Sequence, residues 1–413
     1  MRIAIYWEQD AWGGVDTQLL TLLREWPCAT DQFILYYNRG NRGFHRIREN
    51  LLRVPNLRIQ ELASYSYNEL VRRLPKVRPI SWLRWCLFLI QPMLFLVMAM
   101  RLSIIFGKEQ EIDLMLSDNG GYPAAWGCLS ALLGARWAGI QTRCLLIHHS
   151  STAPSPFMST YERMIDRLVG KITSAVICVS YATRFSFLSR RNINEEDVRI
   201  RVVHNGISSK SAPFHTEVRF DIRAALELTD QMLVGIVGRI EPYKGHEDLI
   251  FALARLSDFE RHRLRLVVLG AGDQEEMERL DRIAKRMGVQ AQVNFLGYVP
   301  GDPSDLIAQL DLLVLATRSF EGFGLTLAEA LNVETPILTT RVGAVPEFVD
   351  STTGALVNPG SPLELSAALS ALLSAPHEWR NKAKFAKTRI RTDGAAMARE
   401  YRQIFLECIA VRP

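Results

Sequence analysis

Short apolar segments alternate with helix-forming segments along the whole chain, and this alternation limits the possible folds more than any other feature of the sequence. Each apolar segment is a few residues long and rich in Ile, Val and Leu, as buried strands are. Alternating strands and helices form parallel sheets that are flanked by helices, so we predict an α/β protein. The predicted strands lie near residues 2–6, 32–37, 57–62, 113–117, 143–148 and 175–180, and then near 233–238, 264–269, 292–296, 312–316, 336–340 and 354–357.

A segment rich in turn-forming residues separates the two halves of this pattern at residues 205–213. The length of 413 residues is enough for two domains that each bury a full hydrophobic core. We therefore predict an N-terminal domain over residues 1–205 and a C-terminal domain over residues 206–385. The tail from about residue 382 to 408 reads as helix, and we expect residues 386–413 to pack back toward the N-terminal domain.

The composition is that of an ordinary globular protein, with 48% hydrophobic and 23% charged residues, which excludes wholesale disorder. Six scattered cysteines show no metal-ligand or redox spacing, as is typical of reduced thiols in the cytosol. Met1-Arg2 leads directly into the first predicted strand, so the sequence predicts no signal peptide and a cytoplasmic protein.

Positive charge is concentrated in one part of the N-terminal half. Residues 39–84 contain ten arginines and one lysine against three glutamates, a pattern that suits either nucleic acid or an anionic membrane surface. The apolar run at residues 85–100 follows directly and favours a membrane over nucleic acid. Pro92 interrupts the run, which is also short for a spanning helix.

We therefore expect residues 72–106 to make a peripheral contact with an anionic membrane, on the inner face of the cell membrane. In this interpretation arginines reach the headgroups and aromatic residues seat at the interface. The aromatic residues that fit this role are Trp82, Trp85, Phe88 and Phe95. The alternative is an ordinary core helix.

Two carboxylates flank a glycine-spaced loop in the C-terminal half. The segment from Glu321 to Glu329 follows the predicted strand at 312–316 and runs into a helix-forming stretch. Ligands of open α/β sheets bind at the carboxyl ends of strands. Bare amides and a helix N-terminus suit anions, and carboxylates accept hydrogen bonds from sugar hydroxyls. The segment therefore predicts a nucleotide-sugar pocket.

Two cations follow the first strand of the C-terminal half. Arg239 comes directly after the strand, and Lys244 lies five residues later, before the next helix. Cations at a strand edge can neutralise a diphosphate while its bond to a sugar breaks. Alone, the pair is more simply explained as two surface bases near a turn; the loop from Glu321 to Glu329 favours the functional interpretation.

These segments together resemble the retaining glycosyltransferases of the large family four, also called glycosyl transferases group 1. The resemblance implies the GT-B fold, in which two Rossmann-like domains face each other across a cleft. The matching motifs are Gly238-Arg239 with Lys244-Gly245, Glu321-x7-Glu329, Asn205-Gly206-Ile207, Gly343 with Glu347, and the N-terminal pair Gly13-Gly14. Ala344 and Asp16 depart from the family pattern, and Asp16 fits a helix cap.

For the C-terminal domain the resemblance implies that Arg239 and Lys244 bind the donor diphosphate. Glu329 would then hold the ribose, and Glu321 a hydroxyl of the transferred sugar. The backbone at Gly322, Phe323, Gly324 and Leu325 would complete the donor site.

For the N-terminal domain the resemblance implies that Gly13 and Gly14 let their loop approach the diphosphate. The family's histidine in the cleft matches His148, which we favour over its neighbour His149. No Asp-x-Asp stands out as a metal site, so we expect neither an obligatory metal nor another cofactor.

The expected activity is transfer of a sugar, with retention, from a nucleotide-diphosphate sugar to a lipid-linked saccharide in polysaccharide or glycan biosynthesis. Family habit slightly favours GDP-mannose over a UDP-sugar. Three alternatives remain at this stage: a soluble sugar acceptor, a nucleotide-sugar epimerase of the same fold, and a non-catalytic binding module.

Overall fold

A computed structural model describes the chain except residues 10–12, 64–66, 74–80, 110, 192, 195, 197, 209–219, 391 and 412–413. The described residues form two compact units. The N-terminal unit comprises residues 1–205 and 394–413, and the C-terminal unit comprises residues 206–393.

The N-terminal unit contains one parallel sheet, whose described strands run in the order β3-β2-β1-β4-β5-β6-β7. Its strands are β1 (Arg2–Glu8), β2 (Gln32–Asn38), β3 (Leu57–Leu62), β4 (Leu114–Asn119), β5 (Thr142–Ile147), β6 (Ala175–Cys178) and β7 (Arg199–Val202). Its helices are α1 (Gly14–Arg24), α2 (Arg42–Leu51), α3 (Tyr67–Arg73), α4 (Ser81–Gly107), α5 (Trp126–Trp137), α6 (Ser159–Ile172), α7 (Tyr181–Arg190) and, at the end of the chain, α16 (Gly394–Ala410).

The C-terminal unit contains a second parallel sheet in the order β10-β9-β8-β11-β12-β13. Its strands are β8 (Met232–Val237), β9 (Leu264–Leu269), β10 (Val293–Gly297), β11 (Leu312–Leu315), β12 (Ile337–Thr340) and β13 (Ala355–Val357). Its helices are α8 (Ile222–Ala225), α9 (His246–Arg255), α10 (Asp258–His262), α11 (Gln274–Arg286), α12 (Pro303–Ile307), α13 (Leu325–Asn332), α14 (Pro362–Ser374) and α15 (Pro376–Arg389).

The predicted α/β class with two Rossmann-like sheets is confirmed, and all twelve predicted strands are present. The sequence did not reveal β7. Its residues Arg-Ile-Arg-Val alternate charged with apolar side chains and are only half-buried, because the strand lies at the edge of the sheet. Apolar content marks the buried central strands and misses such an edge strand.

The tail that reads as helix from about residue 382 to 408 consists of two helices in the structure. Helix α15 ends at Arg389, since Ile390 has an extended backbone, and α16 begins at Gly394. Helix α16 belongs to the N-terminal unit, where Gln18 of α1 donates to Tyr401 Oη at 3.2 Å and Arg402 Nε to Asp31 Oδ2 at 2.9 Å. The C-terminal unit therefore ends at Asp393, and the chain belongs to the N-terminal unit again from Gly394 onward.

Helix α4 contains a 20-residue stretch, Phe88–Gly107, that is long and apolar enough to cross a membrane by length and composition alone. One face of it is part of the core: Phe95, which the sequence suggested as an interfacial aromatic residue, is 4% exposed. That assignment is wrong, because Phe95 packs edge-to-face on Trp126 of α5, with 6.3 Å between ring centroids. The side chains of Trp82 and Trp85 are not among those that the structure describes, so their predicted roles at a membrane interface stay predictions.

Candidate active site

The two cations predicted from the sequence lie on a short turn after β8. Arg239 donates to Glu241 Oε1 at 2.7 Å and to Tyr243 Oη at 3.4 Å. Lys244 Nζ lies 5.3 Å from the centroid of the Tyr243 ring, so this ring lies beside both cations. Both basic side chains remain partly accessible, which leaves them able to bind an anion.

The structure brings Lys244 together with Glu321, although the sequence assigned the two residues to different parts of the donor. Lys244 Nζ donates to Glu321 Oε2 at 2.8 Å, and Thr317 Oγ1 donates to the same oxygen at 3.3 Å. The pair joins the turn after β8 to the loop after β11, which are neighbouring strands of the sheet. A diphosphate on Lys244 and a sugar hydroxyl on Glu321 would therefore be adjacent groups of one ligand.

A second ion pair fixes the turn and the loop against each other. The Arg318 guanidinium donates to both carboxylate oxygens of Asp248 in α9, each at 2.6 Å. The Arg318 backbone N–H donates to the carbonyl of Tyr243 at 2.7 Å. A bidentate pair of this kind holds its geometry well. Contacts within the protein therefore hold the turn that carries Lys244 against the loop that carries Glu321.

Gly343 has a structural reason to be glycine. Its φ is +51°, and a Cβ there would lie 2.1 Å from the carbonyl oxygen of Glu321. The next residue, Ala344, donates its N–H to that oxygen at 2.8 Å and has a φ of −78°. The departure from the family pattern at Ala344 is thus free of strain, since this φ is an ordinary one for any residue.

The loop between the two glutamates turns into α13 at Gly324, whose φ is +85°. Phe323 is buried and packs edge-to-face on Phe348, with ring centroids 4.7 Å apart. Gly322, Phe323 and Gly324 are all buried, and Leu325 at the start of α13 is partly exposed. The donor contacts predicted for the backbone of residues 322–325 stay a prediction.

Glu329 differs from Glu321 in its environment. It lies inside α13 and is 8% exposed, and burial raises the pKa of its carboxyl to about 8, with a further contribution from the charge of Asp302. At neutral pH this group is therefore mostly a protonated acid. Two ribose hydroxyls that donated to it would favour the ionised form and lower the pKa again.

In the N-terminal unit, His148 follows β5 and is buried against Asp118. Its Nε2 lies 2.8 Å from Asp118 Oδ1, and its backbone N–H donates to the carbonyl of Asn119 at 3.3 Å. His149 is exposed, with its Nδ1 3.1 Å from Ser150 Oγ. The two histidines therefore have different environments: His148 is buried against a carboxylate, and His149 is exposed.

The sequence analysis missed three polar residues beside His148. Glu8, Asp118 and Asn119 lie at the carboxyl ends of β1 and β4, with Glu8 opposite Asn119 in register. All three are buried, and a Cβ on Gly127 of α5 would lie 2.0 Å from Glu8 Oε2. For Asp118 and Asn119 the signal was the change from the apolar Leu114–Leu116 to the polar Ser117–Asn119 at the end of β4.

The N-terminal glycine pair lies beside the start of α1. The backbone N–H of Gly13 donates to Asp16 Oδ2 at 2.8 Å, which confirms the predicted capping role of Asp16. Gly13 has an extended backbone that any residue adopts, and Gly14 is the first residue of α1. The conformation therefore does not demand glycine here, and a need for space beside the loop stays a prediction.

Among the described residues, no group of three or more His, Cys, Asp and Glu side chains could hold a metal ion. Five described cysteines, at positions 28, 128, 144, 178 and 408, are free.

Known glycosyltransferases are similar to this chain in sequence. Residues 218–389 match the family model described as Glycosyl transferases group 1. A D-inositol 3-phosphate glycosyltransferase of Corynebacterium glutamicum is 37% identical over 147 residues, which cover 34% of this chain and 35% of the relative. An uncharacterised glycosyltransferase of Methanocaldococcus jannaschii is 28% identical over 222 residues, or 53% of each chain. The chain thus matches between about a third and about half of the length of these curated relatives.

The fold extends further than the sequence match. The crystal structure of the Anabaena protein Alr3699/HepE with UDP and glucose superposes with a TM-score of 0.72 at 18% identity. This superposition covers 98% of the present chain and 100% of the Anabaena chain. Both units therefore have the GT-B architecture that the sequence predicted.

Proposed function

We propose that the protein is a retaining glycosyltransferase of the glycosyl transferases group 1 family, a proposal supported by the match of residues 218–389 to that family's model. It moves a sugar from a nucleotide-diphosphate sugar to a saccharide acceptor. The observation that carries the proposal is the Lys244–Glu321 pair at 2.8 Å, with Arg239 beside it, at the carboxyl edge of the C-terminal sheet. At this edge, cations that can bind a diphosphate lie close to a carboxylate oxygen of Glu321, which can accept a hydrogen bond from a sugar hydroxyl.

In the proposed reaction the bond between the anomeric carbon and the diphosphate oxygen breaks. The negative charge that develops on the leaving diphosphate is stabilised by Arg239 and Lys244, which attract this charge more strongly in the transition state than before it. The acceptor hydroxyl attacks from the face that the diphosphate leaves. Its proton passes to a leaving phosphate oxygen, so the products are the glycoside and the nucleoside diphosphate.

His148 is the substrate contact that we propose for the N-terminal unit. Asp118 accepts from the ring and fixes its orientation, because both side chains are buried and only 2.8 Å apart. A fixed imidazole can bind one sugar hydroxyl in one direction, and the neighbouring His149 is exposed instead. Gly13 and Gly14 remain the proposed approach point for the diphosphate.

The proposed acceptor is a lipid-linked saccharide, such as one carried on a polyprenyl diphosphate. The supporting observation is the row of large apolar side chains that α4 exposes to solvent on the N-terminal unit. A soluble acceptor is the second candidate. Transfer assays with the lipid-linked saccharide and with the same saccharide free in solution distinguish them, since only the first is expected to be used.

The donor assignment is tested by the thermal stabilisation that nucleotide sugars give. The panel includes UDP-glucose, because the structure of the Anabaena protein contains UDP and glucose, and GDP-mannose, which the sequence favoured. Lys244→Ala is expected to lose the stabilisation by every donor. The matched control is Lys285→Ala, which breaks a 2.8 Å surface ion pair with Asp281 in the same unit. Full stabilisation of Lys244→Ala would show that Lys244 does not bind the diphosphate.

The reaction type is tested by incubation with donor alone and with donor plus acceptor. A transferase gives at most slow hydrolysis of the donor alone, while an epimerase returns an isomerised nucleotide sugar. With acceptor present, the anomeric configuration of the product, read by NMR, must equal that of the donor. An inverted product would contradict the retaining mechanism.

A further inference from the structure

Helix α4 is held to the N-terminal unit by one face, which fixes the direction of the other. Ala99, Leu102 and Phe106 are buried, and Ser130 Oγ of α5 donates to the carbonyl of Phe95 at 3.1 Å. Gly134 of α5 allows a close approach, since a Cβ there would lie 2.7 Å from the carbonyl oxygen of Ala99. The helix therefore cannot rotate to bury its outer residues without losing this packing.

The outer face of α4 is apolar and exposed. Leu89 is 69% exposed, Met93 55% and Ile104 58%. Successive positions differ by about 100°, so the exposed residues fall within an arc of roughly 120° that runs for about 22 Å along the helix. We call this the apolar face of α4; it consists of Leu89, Ile90, Met93, Leu96, Val97, Met100 and Ile104. Continuous exposed apolar surface of this kind marks an interaction site.

The apolar face is bordered by positive charge. Arg101 is exposed at one edge of the arc, and the exposed Lys108 follows the end of the helix. Arg101 is the one charged residue of the described stretch from 88 to 107. A surface that is apolar in its middle and cationic at its edges suits the boundary between headgroups and acyl chains.

Helix α6 adds a second cationic element on the same side of the sheet. The connections β3–α4–β4, β4–α5–β5 and β5–α6–β6 move in one direction across the sheet, and right-handed crossovers then place their helices on one face. Trp126 of α5 stacks on Tyr161 of α6, with centroids 5.7 Å apart, and also contacts Phe95 of α4. The helices α4 and α6 therefore flank α5 in one layer.

The outward side of α6 carries only positive charge. Its acids Glu162 and Asp166 are buried and each accepts from the guanidinium of Arg191 at 2.8 Å. Its bases Arg163, Arg167 and Lys171 are all exposed, four residues apart, and none has an ion-pair partner among the described residues. The sequence of α6 is nearly balanced in charge, but the fold turns the acids inward and leaves what we call the basic face of α6 outside.

We propose that this side of the N-terminal unit docks on a membrane surface that contains anionic phospholipid. The apolar face of α4 inserts shallowly between the headgroups, and the basic face of α6 with Arg101 contacts the phosphates. Charge favours this occupant over a second copy of the chain, because two such surfaces would bring like charges together. The buried side of α4 favours shallow insertion over a span, because crossing the bilayer would strip α4 from α5.

The test is flotation of the full chain with vesicles, without donor or acceptor, so its outcome is separate from that of the transfer assays. Vesicles of phosphatidylcholine alone are compared with vesicles that also contain phosphatidylglycerol. Wild type is expected to float with the anionic vesicles, and less so at high salt. The variant Leu96→Ser/Met100→Ser/Ile104→Ser is expected to bind at least about tenfold more weakly.

The matched control for the apolar face is Leu52→Ser/Phe259→Ser/Leu363→Ser, which removes three apolar side chains elsewhere that are at least as exposed. The control for charge compares Arg163→Gln/Arg167→Gln/Lys171→Gln with Arg282→Gln/Lys285→Gln/Arg286→Gln on α11. Both charge variants lose three cations, and only the first is expected to weaken binding, by about tenfold or more.

Three results would overturn the proposal. The first is failure of wild type to bind anionic vesicles, and the second is equal binding by wild type and the α4 variant. The third is a wild-type dimer that the α4 variant converts to a monomer, since a second copy would then cover the face. Circular dichroism confirms that each variant is folded, as expected for substitutions of exposed residues.

Discussion

The carboxyl edges of the two sheets carry different chemistry and are built in different ways. In the C-terminal unit the edge consists of short turns with positive-φ glycines, and its Lys244–Glu321 pair is partly accessible. In the N-terminal unit the edge consists of buried side chains, with His148 against Asp118 at 2.8 Å. The first edge suits a polyanion, whose negative charge would interact with the cations there. The second holds an imidazole ring in one orientation.

The largest expected effect concerns the crowding of the C-terminal loop. Gly343→Ala would force a Cβ to within 2.1 Å of the Glu321 carbonyl oxygen, so the loop must move. We expect a loss of about 3 kcal/mol or more in unfolding free energy, together with loss of donor binding. Urea denaturation and nucleotide-sugar titration measure the two effects.

The matched control for this change is Gly360→Ala. Gly360 also has a positive φ, +69°, but nothing lies within 4 Å of the position that its Cβ would take. It is expected to cost only about 1 kcal/mol, the conformational part of the penalty. Equal losses in the two variants would show that crowding against Glu321 is unimportant.

The next effect concerns the buried acid of the same edge. The pKa of Glu329 is about 8 in the folded chain against 4.5 for an exposed glutamate, so the unfolded state binds fewer protons between these values. Stability is therefore expected to fall as pH rises from about 5 to about 8, by a few kcal/mol. Glu329→Gln should remove this fall, which denaturation at a series of pH values measures.

Donor binding gives the same residue a second measurable property. If the ribose hydroxyls donate to ionised Glu329, then binding near pH 7 releases a proton, and affinity rises with pH up to about 8. Calorimetry in buffers with different ionisation enthalpies counts that proton. Proton release by wild type that Glu329→Gln retains would contradict this assignment.

The smallest of these effects concerns the N-terminal edge. Asp118→Asn keeps the shape of the side chain but removes the charge that strengthens its hydrogen bond with His148. We expect kcat to fall by about tenfold, with little change in the KM for the donor. His149→Ala is the comparison, because this exposed neighbour is expected to leave kcat unchanged. A larger effect of His149→Ala would reverse our choice between the two histidines.

The two edges also differ in how well their polar residues could be predicted from the sequence. In the C-terminal unit each predicted motif is local in sequence: Arg239 and Lys244 lie five positions apart on one turn, and Glu321 and Glu329 lie eight apart around one glycine-spaced loop, so each motif was recognisable by itself. In the N-terminal unit Asp118 and His148 are thirty positions apart and meet only because β4 and β5 are paired. No local pattern contains that information.

Helix α4 shows the same limit in another form. Its apolar composition was evident in the sequence, but which residues face solvent was not. Phe95 is buried against α5, while Leu89 and Ile104 are exposed. An apolar run carries no helical asymmetry when nearly every position is apolar, so only packing decides which side remains free.

The sequence by itself determined the α/β class, the two-sheet organisation and the glycine-bounded loops after β8 and β11. These follow from local propensity, from strand periodicity and from steric limits on φ, all of which act over a few residues. The tertiary structure decided the pairing of Lys244 with Glu321, the burial of Glu329, the Asp118–His148 contact and the exposed faces of α4 and α6. Each of these depends on which distant segments pack together, because burial and charge pairing are properties of a folded surface and not of a segment.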